Sequence, residues 1–302
     1  PELQSLVINP VIVTATKFPT QMDKTGDIVR VISRQELDSL GVSTLKEALG
    51  LISNVSVAST SGIDSIFTRG NHSGATKVLL NGIELSDPIG TNSAPIFDTI
   101  AFNSIDRIEV VSGGQGIIYG SGALAGVINI ISKDVNDASS VDMEYDGSAY
   151  NLDANFATKI GDTFVSIIGN SSYDNSSSGL VNTDEVDTRQ LYSVTIQGLN
   201  KSIYNGSLGG SYTYNTLDQE LDQNNTDDPN YDSNRYHHLS NIYYEKVLSS
   251  KLLSRLSYSR TALKRTTLNE SDSLFTYRVG SKYYKIKSSD VNDIGCLLYT
   301  SD

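Results

Sequence analysis

The densest groups of side chains that could do chemistry here are acidic. Asp174, Asp184, Glu185 and Asp187 fall between residues 174 and 188. Asp218, Glu220, Asp222, Asp227, Asp228 and Asp232 fall between 217 and 232, and neither span holds a Lys or Arg. A hard cation such as calcium collects six to eight oxygen ligands. Converging carboxylates on neighbouring loops could supply them, with Asp174, Asp184, Asp187, Asp218, Asp222 and Asp228 as the candidates. Their spacing matches no EF-hand, and a solvated acidic surface is the competing reading. His237 and His238 are adjacent, so on a strand they point to opposite faces and do not converge on one ion. Cys296 is the only cysteine, which leaves no disulfide framework and no cysteine-based metal site. There is no nucleophile elbow, phosphate-binding loop or HExxH pair. The run Arg69-Gly70-Asn71-His72-Ser73 needs no more than a loop to explain it. No enzyme and no covalent cofactor is expected. Arg69, Arg107 and Glu109 are suited instead to charge-assisted bonds that hold elements together, with surface pairing of little energetic value as the alternative.

The elements that must position these groups follow from composition and pattern. The chain has 302 residues, enough for about two domains, and a formal charge of −12. That balance argues against nucleic acid as a partner, because binding needs cations to displace phosphate counterions. Mean hydropathy is −0.22, which excludes a helical membrane protein, whose spans need about 20 apolar residues each. The uncharged run from Val110 to Ser132 contains six glycines. It therefore reads as strand, glycine turn, short segment and strand rather than as a membrane helix. The opening Pro1-Glu2-Leu3 has no basic-then-apolar leader pattern; either no leader existed or a trimmed form is shown.

Before about residue 137 the sequence predicts a small α+β unit. Ile28 to Ile32 reads as a strand, and Ser33 with Glu36 forms a capping box for a helix. A second helix is predicted over Thr44 to Ile52, with Leu45, Ala48, Leu49 and Ile52 on one face and Ser43 or Thr44 as its cap. Strands are predicted at Val55–Ser59, Ile66–Arg69, Val78–Leu80, Ile105–Val111 and Gly126–Ser132. Asn81-Gly82 marks a two-residue hairpin.

After residue 137 the pattern alternates apolar and polar residues. Strands of about ten residues, the length that crosses a tilted barrel wall, are predicted at Ser140–Gly147, Asn151–Thr158, Phe164–Tyr173, Arg189–Leu199, Tyr204–Asn215, Tyr236–Lys246, Lys251–Ala262 and Phe275–Ser288. Short connections (Gly161-Asp162, 200–203, 247–250) alternate with long polar ones (174–188, 217–234, 263–274). That alternation fits an outer-membrane barrel better than a soluble sandwich. Eight strands would close only a barrel filled by its own side chains. A wall that also holds the α+β unit implies further strands. The end, Gly295 to Asp302, breaks the alternation and resembles a translated adapter, so 291–302 reads as an artefactual tail on a truncated fragment.

Three stretches then carry a resemblance. One is Arg107-Ile108-Glu109-Val110 leading through Tyr119-Gly120 to Gly126-Val127-Ile128-Asn129-Ile130. A second is Phe67-Thr68-Arg69-Gly70 followed by Val78-Leu79-Leu80-Asn81-Gly82. The third is Val11-Ile12-Val13-Thr14-Ala15. Over residues 10–134 the sequence resembles the TonB-dependent outer-membrane receptors, and among them the cobalamin receptors most. It departs from their pattern at Ser112-Gly113-Gly114 and at Ala125-Gly126. The resemblance implies a TonB box and linker at 1–20, a plug at 21–137 and a partial transmembrane β-barrel at 138–290. Pro10, Val11, Ile12, Val13, Thr14 and Ala15 would form the box, an extended segment able to add a strand to the sheet edge of the energy-transducing partner TonB. Arg69, Gly70, Asn81, Gly82, Arg107, Glu109, Tyr119, Gly120, Gly126 and Asn129 would be structural residues of the plug. Ligand contacts would fall on two plug apices, Ser61, Gly62, Asp64 and Ser65, and Asp87, Gly90, Thr91 and Asn92. The implied surroundings are outer-membrane lipid. The implied cargo is cobalamin or a related corrinoid, with a ferric siderophore or haem as the alternative, and a non-transporting barrel or adhesin as the alternative of another class. Calcium ordering of the acidic loops belongs to the same resemblance.

Overall fold

Two short helices begin where hydroxyl side chains satisfy backbone donors that a first helical turn leaves free. In a computed structural model, the Ser33 hydroxyl accepts from the Glu36 amide at 3.3 Å and the Thr44 hydroxyl from the Glu47 amide at 3.2 Å. The structure describes residues 11–17, 20–60, 63–87, 93–135, 137–177, 187–221, 231–249, 252–269, 275–279, 282–286 and 295–301. The first strands are β1 (Val11–Ile12), β2 (Thr20–Gln21) and β3 (Ile28–Ser33). Helices α1 (Arg34–Ser39) and α2 (Leu45–Gly50) follow. Next come β4 (Val55–Thr60), β5 (Ile63–Thr68), β6 (Thr76–Leu80), β7 (Ile83–Glu84), β8 (Ile105–Ser112), α3 (Gly116–Tyr119) and β9 (Gly126–Ser132).

Strands β3-β8-β9-β6-β7 form one sheet in that order, with β6 and β9 parallel and the other pairs antiparallel. The helices bury Leu37, Leu45, Ala48 and Leu49 against Ile32, Ile66, Val78, Phe97, Ile105, Ile108 and Ile128. Asn81 and Gly82 both adopt positive φ (51° and 83°), and β6 pairs with β7 across them. That is the backbone a two-residue hairpin requires. The uncharged glycine run is strand, short helix, strand. At Gly126 a Cβ would lie 2.6 Å from the Val111 carbonyl oxygen, so glycine is needed where β9 meets β8.

The second sheet is an antiparallel meander: β10 (Ser140–Tyr145), β11 (Ala149–Ile160), β12 (Thr163–Ser177), β13 (Asp187–Ile203), β14 (Gly206–Glu220), β15 (Tyr231–Ser249) and β16 (Leu252–Asn269). From β11 onward these strands run 12 to 19 residues, longer than the ten the sequence suggested, because pairing continues into the long connections. The turn predicted at 200–203 lies at Tyr204-Asn205, both at positive φ. Phe275–Ser288 is not one strand. It forms β17 (Phe275–Val279) and β18 (Lys282–Ile286), paired with each other in a sheet of their own among the described residues, and the eighth place in the larger sheet goes to β19 (Gly295–Ser301), inside the expected tail. Gly280-Ser281 interrupts the run with a dipeptide that suits hairpin turns.

The meander is inverted relative to a soluble sheet. Its covered face, turned to the α+β unit, carries Asp153, Asn155, Ser166, Asn170, Ser193, Thr195, Thr213, Asn215, Arg235 and His237, all buried. Its bare face carries Leu152, Phe156, Ile160, Ile167, Tyr192, Val194, Ile196, Tyr212, Ile242, Leu256 and Tyr258, all exposed. A surface of that kind is stable against hydrocarbon rather than water, and strands can span only as a closed wall. No helix among the described residues is long and apolar enough to cross a membrane. Ile196→Arg on the bare face should therefore lower the folding free energy of the full-length protein in lipid vesicles by about 2–4 kcal/mol. Ile196→Leu should be near neutral, and urea titration of both variants reads the difference.

Candidate functional site

The amino-terminal segment is docked rather than free. Val11 and Ile12 pair with Gln21 and Thr20, but from Val13 onward the chain turns inward. It is therefore not extended over the whole of 10–15, and Pro10 lies outside the described residues. Ile12 and Ala15 bury against Val111, with Met22, Val29 and Val31 packed alongside.

One carboxylate receives this segment. Glu109 Oε2 accepts from the Val13 amide (2.9 Å), the Thr14 amide (2.9 Å) and the Thr14 hydroxyl (2.6 Å). Its other oxygen, Oε1, accepts from Arg107 Nε at 3.0 Å and Nη2 at 2.9 Å. Arg107 also reaches Asp106 at 2.9 Å. Glu109 is fully buried, and a buried carboxylate is tolerated only when paired and hydrogen-bonded. The strand pattern explains the grouping. Arg107 and Glu109 are two apart on β8 and share a face. Asn129 of β9 is the direct cross-strand partner of Glu109. From there the Asn129 amide nitrogen donates to the Thr14 hydroxyl oxygen at 3.1 Å, and its Oδ1 accepts from the Gly82 amide at 3.0 Å. Tyr119, at the end of α3, donates its hydroxyl to the Thr14 carbonyl at 2.7 Å. Thr14 is thus held at its amide, hydroxyl and carbonyl, and is itself fully buried.

Around this hub, Lys77 Nζ donates to the Tyr119 carbonyl (2.8 Å) and pairs with Glu84 (2.9 Å). Partial burial and the nearby Lys77 charge lower the pKa of the Lys17 ammonium, which lies 5.3 Å from the Tyr119 ring. A cavity of about 720 Å³, lined in part by Val13, Lys17, Arg107, Tyr119, Gln197, Tyr243 and Arg255, separates this end of the unit from the wall. At the rim, Asn81 bonds Ser132, and Gln197 of β13 donates to Ser132 and to the Lys133 carbonyl.

Of the residues singled out in the sequence, Val13, Thr14, Arg107, Glu109, Tyr119 and Asn129 come together here, with Gly82 on Asn129 and Asn81 close by. Gly120 caps α3 at positive φ. Arg69 departs from its expected holding role. It follows β5 at φ 53°, its side chain is exposed, and Gly70 continues the turn at φ 72°. Asp64 and Ser65 are not apical loop residues but lie within β5, paired with Ser59 and Ala58, and Asp64 meets Lys46 at 3.6 Å. Ser61, Gly62, Gly90, Thr91 and Asn92 lie outside the described residues. Asp87 is not an open ligand contact: it is buried and bonds Arg265 of β16. Asp174, Asp187 and Asp218 sit in β12, β13 and β14, paired in the ladder with Arg189, Ser177 and Gln190, while Asp184, Asp222 and Asp228 lie outside the described residues. Among the described residues no three His, Cys, Asp or Glu side chains group as metal ligands. His237 points into the lumen toward Thr99 and His238 outward toward Tyr212. Sequence reasoning missed Asp98, Arg189, Arg235 and Arg265. The signal was available: each arginine occupies the covered parity of an amphipathic strand.

The hub can hold or release the amino-terminal segment as a unit. A hydrogen bond to a charged group contributes about 1.5–3 kcal/mol. Glu109→Gln should therefore raise the undocked fraction of the segment roughly tenfold or more. A spin label at exposed Val11 should show increased mobility in that variant, whereas Arg30→Gln, whose side chain bonds Glu36 rather than the hub, should leave the spectrum unchanged.

A family model described as the TonB-dependent receptor plug domain matches residues 21–127. A protein of Vibrio cholerae named vitamin B12 transporter BtuB is 36% identical over 126 residues, 41% of this chain and 20% of the relative. One of the same name from Vibrio vulnificus is 33% identical over 153 residues, 49% of this chain and 25% of the relative. These matches take in only a fifth to a quarter of the relatives' length. Among solved structures, the ferric citrate transporter FecA superposes with a TM-score of 0.68 at 14% identity, covering 82% of this chain and 41% of that one. The ferric-catecholate import receptor Fiu of E. coli K12 gives 0.66 at 18% identity, covering 92% and 45%. The ferripyoverdine receptor of the outer membrane of Pseudomonas aeruginosa gives 0.68 at 14% identity, covering 90% and 38%.

Proposed function

We propose that the protein, whose residues 21–127 match the TonB-dependent receptor plug domain and whose later strands have the bare apolar face of a barrel wall, is an outer-membrane active importer of a scarce, large ligand, cobalamin or a related corrinoid. The observation that carries this reading is the docking of Thr14 on Glu109. A segment with strand-forming residues is held against the plug by a small set of hydrogen bonds around one carboxylate, which suits a handle that is kept and then surrendered. Energy reaches the outer membrane through the partner TonB, which would take the freed segment by strand addition. The chain's own residues do three things in this scheme. Glu109, Asn129 and Tyr119 hold the box; Arg107 pairs with the Glu109 carboxylate and aims it; Gln197 ties the plug rim to the wall. Corrinoid cargo is favoured by the vitamin B12 transporters, which match the plug sequence at 33–36% identity. The second reading, a ferric siderophore, draws on the solved structures, whose identities of 14–18% speak to fold alone.

Removing residues 10–15 from the full-length protein should preserve ligand binding and abolish uptake, because the barrel and outer face remain while the handle is gone. A non-transporting barrel would be indifferent to the same deletion. Equilibrium binding of cobalamin and of ferric siderophores to purified full-length protein then separates the two cargo classes. Cobalamin retention with siderophore indifference is the expected outcome.

A further inference from the structure

The lumen wall carries an arrangement that a sheet would ordinarily avoid. Arg235 of β15 and Arg265 of β16 are direct cross-strand partners. Directly opposed residues share a face with their Cβ atoms about 5 Å apart, and like charges so placed destabilise the pair. Arginine does not escape by losing its proton. Both face the plug, and the Arg235 side chain is only 1% exposed.

The compensating charges come from the plug. Asp98 pairs with Arg235, and Asp87 pairs with Arg265 at 3.0 Å. Neighbouring contacts repeat the pattern. Arg189 of β13 donates to the Asp98 carbonyl, Thr99 hydrogen-bonds His237 Nδ1 at 2.9 Å, and Thr261 donates to the Glu84 carbonyl at 3.1 Å. Asp87 and Asp98 lie on the two arms of one loop, Asp87 facing Ala94 at its neck and Asp98 further down the returning arm. The Asp87 amide donates to the Ala94 carbonyl (2.8 Å), the Ile96 amide to the Leu85 carbonyl (3.1 Å), and Ser86 bridges Pro95. Arg189, Arg235 and Arg265 all lie near the strand ends that lead into the long connections.

We propose that Asp87 and Asp98 are the counter-ions of an arginine pair built into the barrel wall, and that this four-charge clamp sets the position of the plug loop between them. The pairing is chosen for position over stability. Arg235 Nε and Nη2, Asp98 Oδ1 and His237 Nε2 are buried without partners. A buried ion pair with unused polar atoms is a poor source of folding energy, yet removing the loop would strand two facing guanidinium groups. The loop thus supplies the counter-charges of the Arg235–Arg265 pair.

The test uses full-length protein in lipid nanodiscs without ligand, with Cys296→Ser and spin labels at Ser93 in the loop and Ile242 on the lipid face. The pulsed-EPR distance distribution should be narrow in the parent. It should broaden in Asp98→Asn and broaden further when Asp87→Asn is added. Asp98→Asn should also shift the unfolding equilibrium roughly a hundredfold, since it leaves a buried guanidinium unpaired. Adding Arg235→Gln to Asp98→Asn should recover part of both losses, a rescue that a merely space-filling aspartate would not show. Unchanged distances in the double aspartate variant, or an added Arg235→Gln that worsens the effect of Asp98→Asn, would overturn the proposal. If that double variant fails to fold on a heat-modifiability gel, the Asp87→Asn and Asp98→Asn single variants carry the same two readings. The clamp stands apart from the transport reading. Only its consequence for cargo, weaker cobalamin binding in Asp98→Asn, rests on that reading, and ligand-free distances fail or succeed independently of it.

Discussion

A sheet with its polar side covered and its apolar side bare is stable only when lipid bathes the bare side, and the rest of the molecule answers to that constraint. Lipid offers no hydrogen bonds, so every backbone group of the wall must be paired along the strands. Polar side chains are driven to the inner face, where they meet either water or the plug. Buried Asp153, Asn155, Ser193, Thr195, Asn215, Arg235 and His237 are the result. The plug is correspondingly held largely by hydrogen bonds and ion pairs at its surface, while its apolar core lies mainly between two helices and a five-stranded sheet, with Leu239 of the wall against it.

That division of labour separates what folds the plug from what seats it. The helix–sheet core is one continuous cluster, touched from the wall by Leu239. The seating contacts are mainly discrete and polar: Gln197 on Ser132, Arg189 and Arg235 on Asp98, Arg265 on Asp87, Thr261 on Glu84, with small apolar contacts where Leu239 meets the core and Leu191 and Leu217 meet Ala101. Polar contacts of this kind exchange for water at modest net free energy, whereas apolar packing does not. A plug built this way can shift against its wall without first unfolding.

Much of the fold was legible because local chemistry and global architecture agree. Ser33 and Thr44 cap the helices, Asn81-Gly82 closes its hairpin, and the period-two alternation after residue 137 lies in a meander. The failures are equally physical. Phe275–Ser288 has the right alternation, but Gly280-Ser281 at its middle favoured a hairpin over a long strand. Asp64 and Ser65 were read as a loop just before the Phe67-Thr68-Arg69-Gly70 strand, yet pairing with β4 extended that strand back to Ile63. The hub around Thr14 was half visible. The motif supplied Arg107, Glu109 and Asn129 as neighbours in sequence or across a ladder, but their grip on a segment some 95 residues away is a tertiary fact with no periodicity to announce it. The buried arginines were missed because a charged residue in a strand was counted as polar parity rather than asked for its counter-ion.

The place where the amino-terminal segment is moored has a mechanical meaning. Glu109 sits on β8, which has β3 on one side and β9 on the other, so tension arriving through Thr14 enters the sheet at an interior member. An edge strand would peel away bond by bond under such a tug. An interior strand shares the load with two neighbours and resists as a plate. The mooring at Thr14 should therefore part before the plate tears, and whatever tension follows would be delivered to an intact body rather than to an unravelling one.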